Sequence, residues 1–393
     1  MHLVYPRLRG LTALEINVFL NQFSLGMVGA FGVLFIFHLN RLSLSYGVFL
    51  VIAFFAFQRV IIGLTLPAVA RLIERIGFRW IMTLGTLGLA GKLILFTQID
   101  SGHIWLLIPA AILGGLHIAA YYPGYHAVFL ENNDDDKIGA QIGMIGAVGS
   151  LAAVSAPLIS GILIDTAGFS LMFMISLIIL LASVIPLWLK PLRPEKIKPV
   201  KFSQVWSFYH RHQRLSAAII FWHISESVLA FIWPVYAYLI INSYTAIGVL
   251  GSAAILVESF IIVAAGRIYD KRPLHRLYPL FAMSVAAAWI FRFLAAVPVA
   301  VFASDIIHRT VSPLWWMKIR RSVLESGETA NHLVFGIAWE WLLTAGYLLG
   351  LLASSFLLLA SNLNWLWLVL PAAGGVVGAT ILMLKKTQSG KNY

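Results

Sequence analysis

The chain has 393 residues, 60% of them hydrophobic and only 11% charged, where a soluble domain carries roughly 25% charged residues, so water is excluded as its main solvent. Zero cysteines exclude disulfides, thiolate metal sites and cysteine nucleophiles. A formal net charge of +12 invites a nucleic-acid reading, but the basic residues are distributed as membrane topology demands, and no nucleic-acid partner is expected.

Apolar runs of about twenty or more residues recur from end to end, each long enough to cross a hydrocarbon core about 30 Å thick. Alternating strands of the barrel type are absent, so helices must satisfy the backbone in lipid. The amino terminus carries Arg7 and Arg9, and the apolar run after it is too long for a signal-peptide core, which makes it a retained first helix. Turn and charge signals predict spans near 11–38, 45–71, 80–99, 103–130, 138–164, 169–189, 214–241, 246–267, 277–297, 299–318, 331–359 and 363–384. The fold class is therefore an all-α polytopic membrane protein of about twelve helices in two six-helix bundles, residues 1–189 and 214–393. Between them, 190–213 is polar, basic and interrupted by Pro191, Pro194 and Pro199, as a linker would be. Its Trp206, Phe208 and Tyr209 form an amphipathic piece suited to anionic lipid headgroups. Alternating the spans puts nearly all the Lys and Arg on one side, including Arg71, Arg75, Arg79, Arg211, Arg214 and Lys318 to Arg321, with Arg41 in an opposite loop. The positive-inside rule then places both termini in the cytoplasm, and the expected location is a bacterial inner membrane. A monomer is expected.

After the second span comes Ala70-Arg71-Leu72-Ile73-Glu74-Arg75-Ile76-Gly77-Phe78-Arg79, and after the eighth Gly266-Arg267-Ile268-Tyr269-Asp270-Lys271-Arg272. Both read small-x-x-x-acid-base. The small residue lets two helices approach, the acid suits a neighbouring cation or helix N-terminus, and the bases hold the loop at the inner surface. Two copies, each after the second helix of its half, indicate an internal repeat. The first copy resembles the Gly-x-x-x-Asp-Arg-x-Gly-Arg-Arg signature of the major facilitator superfamily at Glu74, Arg75, Gly77 and Arg79, with Ala70, Glu74 and Phe78 replacing Gly, Asp and Arg. The second keeps Gly266, Asp270 and Lys271 and has Pro273 where the later Gly stands. The resemblance implies alternating access by rocking of two halves, with these loops gating. In the fifth span Gly149, Pro157 and Gly161 partly match the segment that proton-driven exporters of that family carry, with Ala156 and Ser160 in place of two glycines. Read alone, these residues serve close packing against the eighth helix.

An ionisable group in the membrane needs a partner or a water-filled cavity. Arg59, Lys92, Glu226, Glu258, Asp305, His308, Arg309 and Glu340 fall well inside spans, and Glu15 lies close to an end. The resemblance implies that the first, fourth, seventh and tenth helices line the cavity, which selects Asn21, Gln22, His117, Tyr121, Tyr122, His126, Asp305, His308 and Arg309 as substrate-binding candidates. Asp305 and Arg309 are four apart and suit an intrahelical pair, with Arg309 as the substrate-facing cation. His223 and Glu226, three apart, suit a shared coupling proton. Arg59 and Glu340 have similar depths in the second and eleventh spans, which suggests an inter-bundle pair. The acidic run Glu131-Asn132-Asn133-Asp134-Asp135-Asp136 is expected to cap the fifth helix or to act as a gate. No His-x-x-x-His pair lies within a helix, so neither a metal nor a cofactor is expected. Phosphate-binding loops and nucleophile elbows are missing, so nucleotide-driven pumping and hydrolysis have no machinery.

The expected function is a secondary transporter for a small organic solute, proton-coupled and an antiporting exporter if the fifth-span match carries meaning. A membrane enzyme acting on a lipid and a non-transporting sensor with a transporter fold are the alternatives. The duplicated loop motif argues against catalysis, which has no need of it.

Overall fold

A computed structural model of the chain describes residues 5–39, 43–131, 138–189, 199–271, 277–328, 332–361 and 366–384. Among them the helices are α1 (Tyr5–His38), α2 (Leu44–Gln98), α3 (Leu107–Glu131), α4 (Ile138–Leu189), α5 (Phe202–Arg211), α6 (Gln213–Ser227), α7 (Trp233–Ile241), α8 (Tyr244–Lys271), α9 (Tyr278–Phe293), α10 (Pro298–Glu328), α11 (His332–Ser361) and α12 (Leu366–Leu384). Seven of the described segments are long and apolar enough to cross a membrane, and Tyr278–Phe293 and Pro371–Leu382 are shorter apolar helices. The second and fourth helices, of 55 and 52 residues, each hold two crossings. They turn back at Gly77 (φ 81°, ψ 168°) and Gly168 (φ 82°, ψ 173°). That region of backbone space is open to glycine and strained for residues with a Cβ. With α10, whose polar middle lowers its hydropathy, the described residues agree with the expected twelve crossings.

The two hinges share the pattern acid-x-x-Gly-Phe, in Glu74-Arg75-Ile76-Gly77-Phe78 and Asp165-Thr166-Ala167-Gly168-Phe169. They lie at opposite ends of the bundle, since an odd number of crossings separates them. Each acid fastens something outside its own hairpin. Glu74 Oε1 accepts the Val200 backbone N–H of the linker at 2.8 Å, and Asp165 Oδ2 accepts the Thr245 N–H in the first turn of α8 at 2.7 Å. Asp165 thus acts as an N-cap supplied by another helix, satisfying a donor the helix cannot satisfy itself.

The seventh crossing is interrupted. Between α6 and α7 the residues Val228–Ile232 form a π turn, and Pro234 follows in the first turn of α7. Proline has no N–H to give to the preceding turn, and a widened turn accommodates that loss.

In the first bundle, Asn17 Nδ2 donates to the Ser183 carbonyl at 2.7 Å, Ser24 and Ser176 hydroxyls meet at 2.8 Å, and Phe35 and Phe96 each pack edge to face with Phe173. In the second, Trp222 packs on Trp315, whose indole N–H donates to Thr380 at 2.9 Å. Small residues set the closest approaches. Gly346 and Gly350 admit α6 at Ile220 and Ile224, and Gly161 and Gly248 bring α4 and α8 into backbone contact. Helix α5 lies beside the end that carries the hinge at Gly77, with Val205 and Phe208 buried and Trp206 exposed. Its Tyr209 hydroxyl donates to the Ala338 carbonyl of α11 at 3.1 Å. At the turn after α2, Asp100 Oδ1 accepts from the Gly102 and His103 amides. The adjacent His103 ring and these amides hold its carboxyl below the usual carboxylate range.

Candidate functional site

The bundles meet along α2 against α11, α3 against α11, α4 against α8 and α1 against α7. Phe55 of α2 stacks on Phe231 of the π turn at 4.1 Å between centroids, and the Trp341 indole N–H of α11 donates to the Gly63 carbonyl at 3.0 Å. At the end bearing Asp165, His38 of α1 meets Tyr238 of α7 edge-on at 4.8 Å. Toward the other end, Gly336 of α11 lies against Pro123 of α3. Contacts between the bundles therefore occur toward both ends of the central region.

Arg59 stands in this central region, its guanidinium 3.9 Å from the Tyr347 ring centroid. The expected ion pair with Glu340 is absent. Glu340, itself buried, has His126 as its nearest basic group, at 3.8 Å, and acts on Arg59 only at longer Coulombic range. The reason is depth. The second crossing runs on to the Gly77 hinge, past the expected end at 71, so Arg59 is level with Tyr347, seven residues and about 10 Å beyond Glu340 on α11.

Lys92 is buried beside Arg59. Its ammonium lies 3.4 Å from Gln58 Oε1 and within 5.7 Å of the Phe54, Phe55 and Phe96 ring centroids. Gln22 of α1 hydrogen-bonds Tyr122 of α3, and Tyr122 feels both Glu340 and Arg59. Asn21 is fully buried with both side-chain polar atoms unpartnered. His117 Nδ1 is 3.0 Å from the Gly85 carbonyl and its ring stacks on Tyr121. Tyr121 donates to Asn17 at 2.8 Å, which makes it part of the packing between α1 and α3.

Asp305 and Arg309 do not pair, contrary to the i, i+4 expectation. Asp305 is taken by Arg292 of α9, a fully buried arginine, and Arg309 by Glu258 of α8 at 2.6 Å. Each of them is engaged by a side chain on a neighbouring helix, Asp305 by α9 and Arg309 by α8. Arg292 also lies over Trp233 and Trp289, at 4.5 and 4.6 Å. His308 packs edge-on against Trp289 at 5.2 Å. Glu226 faces this cluster, coupled electrostatically to Arg309, Glu258 and Arg292. Among the described residues no hydrogen bond or ion pair joins Glu226 to His223. His223 Nδ1 is 2.7 Å from its own helix's Ile219 carbonyl, and its ring meets Trp316, Trp339 and Tyr347. The shared-proton geometry is therefore not present.

Sequence reasoning left out Arg292, which sits one residue from the end of α9 and reads as a boundary arginine. The available signal was its spacing of 13 from Asp305 across a tight helical hairpin. Tyr347 was passed over as one aromatic among many. Arg75 is exposed, and Arg79, half-buried, lies over Trp188 at 5.2 Å. Gly161 lies against Tyr244 and Thr245, and Pro157 against Gly248 and Gly251. The side-chain environments of Gly149, Gly266, Asp270 and Lys271, and the acidic run, lie outside the described residues. No group of three or more metal-type ligands occurs among the described residues.

No curated protein matches the sequence. Among solved structures, the human organic anion transporter MFSD10 (TETRAN) is similar with a TM-score of 0.64 and 11% identity, over 96% of this chain and 98% of that one. A D-xylose-proton symporter is similar with a TM-score of 0.69 and 14% identity, over 96% and 97%. At these identities the likeness is one of fold, and it agrees with two bundles facing a central region. The sequence itself matches the Major Facilitator Superfamily over residues 14–339, and the chain belongs to that family of membrane transporters.

Proposed function

We propose that the protein is a proton-coupled secondary carrier that moves a small organic solute by alternating access, with Glu226 as the proton-binding group. The observation that carries this reading is a charge count in the cluster shared by α6, α8, α9 and α10. Glu226, Glu258 and Asp305 face Arg292 and Arg309, and the ion pairs Arg292–Asp305 and Arg309–Glu258 account for two of the three carboxylates. A third charge left in the membrane interior is costly, and binding a proton neutralises it. Glu226 also lies two residues before the π turn, the least regular part of its span. His223 acts by proximity, without a hydrogen bond to Glu226.

In this reading residues 1–189 and 214–393 are the moving bodies, joined by 190–213, and the loops at Glu74 and Asp270 gate one end. The basic loops argue for cytoplasmic termini and a bacterial inner membrane. Asn21, Gln22, Tyr122 and His126 remain substrate-side candidates from the first bundle. Of the two structural neighbours, one is named for a proton symporter, which favours proton coupling, and their cargoes differ in kind. The fifth-span segment at Pro157 and Gly161 favours export. In proteoliposomes, Glu226→Gln is expected to abolish pH-driven accumulation and to leave labelled-solute exchange intact. Unaltered accumulation removes Glu226 from the coupling, and chemical conversion of the solute in place of exchange points to the membrane-enzyme reading.

A further inference from the structure

The intramembrane charges divide unevenly between the bundles. In the first, the described groups well inside the spans are cations, Arg59 and Lys92. In the second, Glu226, Glu258 and Asp305 stand with Arg292 and Arg309, and Glu340 lies apart from them, beside His126. The second bundle's two arginines are each engaged by a carboxylate. Arg59 and Lys92 are not: among the described residues neither has a carboxylate within ion-pair distance. Lys92 has one long hydrogen bond, to Gln58 at 3.4 Å, and Arg59 rests on the face of Tyr347.

Two cations that repel each other electrostatically, Lys92 buried and Arg59 partly so, are a costly arrangement inside a membrane unless an anion completes it. Their surroundings describe the rest of that anion. Phe55 and Phe231 stack across the bundles, and Tyr122 and Tyr347 both lie near Arg59. Flat rings facing a guanidinium and an ammonium suit a ligand with a planar apolar body and a carboxylate or similar head. The guanidinium fork takes the two oxygens, and the ammonium adds a third donor.

Resting on the carrier reading above, we propose that Arg59 and Lys92 form an anion subsite and that the protein's substrate is an aromatic or otherwise flat organic anion. Arg309, held by Glu258, is thereby a structural and coupling residue. Glu340 competes with the substrate for Arg59, and its removal strengthens anion binding.

The test uses purified full-length protein and three probes of one shape: 2-naphthoate, 2-naphthamide and 2-naphthylmethylammonium. Binding is read by tryptophan fluorescence and by the shift in melting temperature, since a ligand of the folded state raises it. At millimolar concentration 2-naphthoate is expected to bind and the neutral and cationic probes are not. Arg59→Gln and Lys92→Met each weaken 2-naphthoate by about tenfold or more, while Glu340→Gln binds it at least as well as the parent. Lys92→Met keeps the length of the stem and removes a buried charge, so it retains the fold even if Arg59→Gln does not. Absence of a 2-naphthoate response, equal binding of the amide, or unchanged affinity in Lys92→Met overturns the proposal. Vesicles separate it from the carrier reading. Arg59- and Lys92-dependent binding without exchange of labelled 2-naphthoate leaves the subsite standing and removes the carrier, and exchange of a neutral solute undiminished in Arg59→Gln does the reverse.

Discussion

Removing the Asp165 carboxylate should open the end of the molecule at which it stands. Asp165 belongs to the first bundle and caps α8 of the second, accepting the Thr245 N–H at 2.7 Å and the Ser243 hydroxyl at 3.4 Å. Loss of an N-cap costs about 1 kcal/mol, in a range of roughly 0.5–2. Its attraction to the α8 macrodipole adds a few tenths of a kcal/mol at this exposed position. Because the bond spans the two bundles, the loss falls on the state in which that end is closed. A difference of about 1 kcal/mol changes a two-state population ratio roughly fivefold. The chain has no cysteine, so two introduced cysteines report without background. Gln98 and Val297 are both exposed near this end, one on each bundle. Spin labels at these positions should give a closed and an open distance, with the open fraction several-fold larger in Asp165→Ala than in the parent. Asp165→Asn, which retains an acceptor oxygen, should fall between them. An unchanged distance distribution in Asp165→Ala, with the protein still folded, refutes the view that this contact is a clasp between bundles.

Breaking the buried Arg292–Asp305 pair by Arg292→Leu should destabilise the protein by about 3–5 kcal/mol, because Asp305 is left without its cation. Adding Asp305→Leu should recover much of that in thermal unfolding, and additive losses would disprove the coupling. Arg59 and Glu340 are expected to behave nearly additively in the same kind of cycle, whereas Arg59 and Tyr347 should couple by about 0.5–2 kcal/mol through the cation–π contact. Gly77→Ala, at a φ of 81°, should cost about 1–2 kcal/mol from backbone strain. At Gly29, a Cβ meets nothing within 4 Å, so the same substitution in α1 should be tolerated and raise stability by about 0.4–1 kcal/mol. Gly161→Leu, which would push α4 off the Tyr244–Thr245 backbone, should impair transport and melting temperature together.

What the amino-acid sequence settled about this protein is what local chemistry and the lipid solvent dictate. Runs of apolar residues must become helices where no water can satisfy the backbone, so the crossings and their order were readable to within a few residues. Gly77 and the acid three residues before it marked one hinge, because only glycine occupies that backbone region cheaply. The turn at Gly168 falls between the expected fifth and sixth spans, at 165–168, although its likeness to the first hinge was not drawn. Tertiary structure decided which charges meet. Asp305 and Arg309 are adjacent on one helix, yet their partners, Arg292 and Glu258, come from two others. Arg59 lies on Tyr347 because the second crossing extends to Gly77, a shift of about one and a half helical turns that apolar patterning does not resolve. An ion pair depends on distances of a few ångströms between helices, and spacing along one chain carries no information about the distance to another helix.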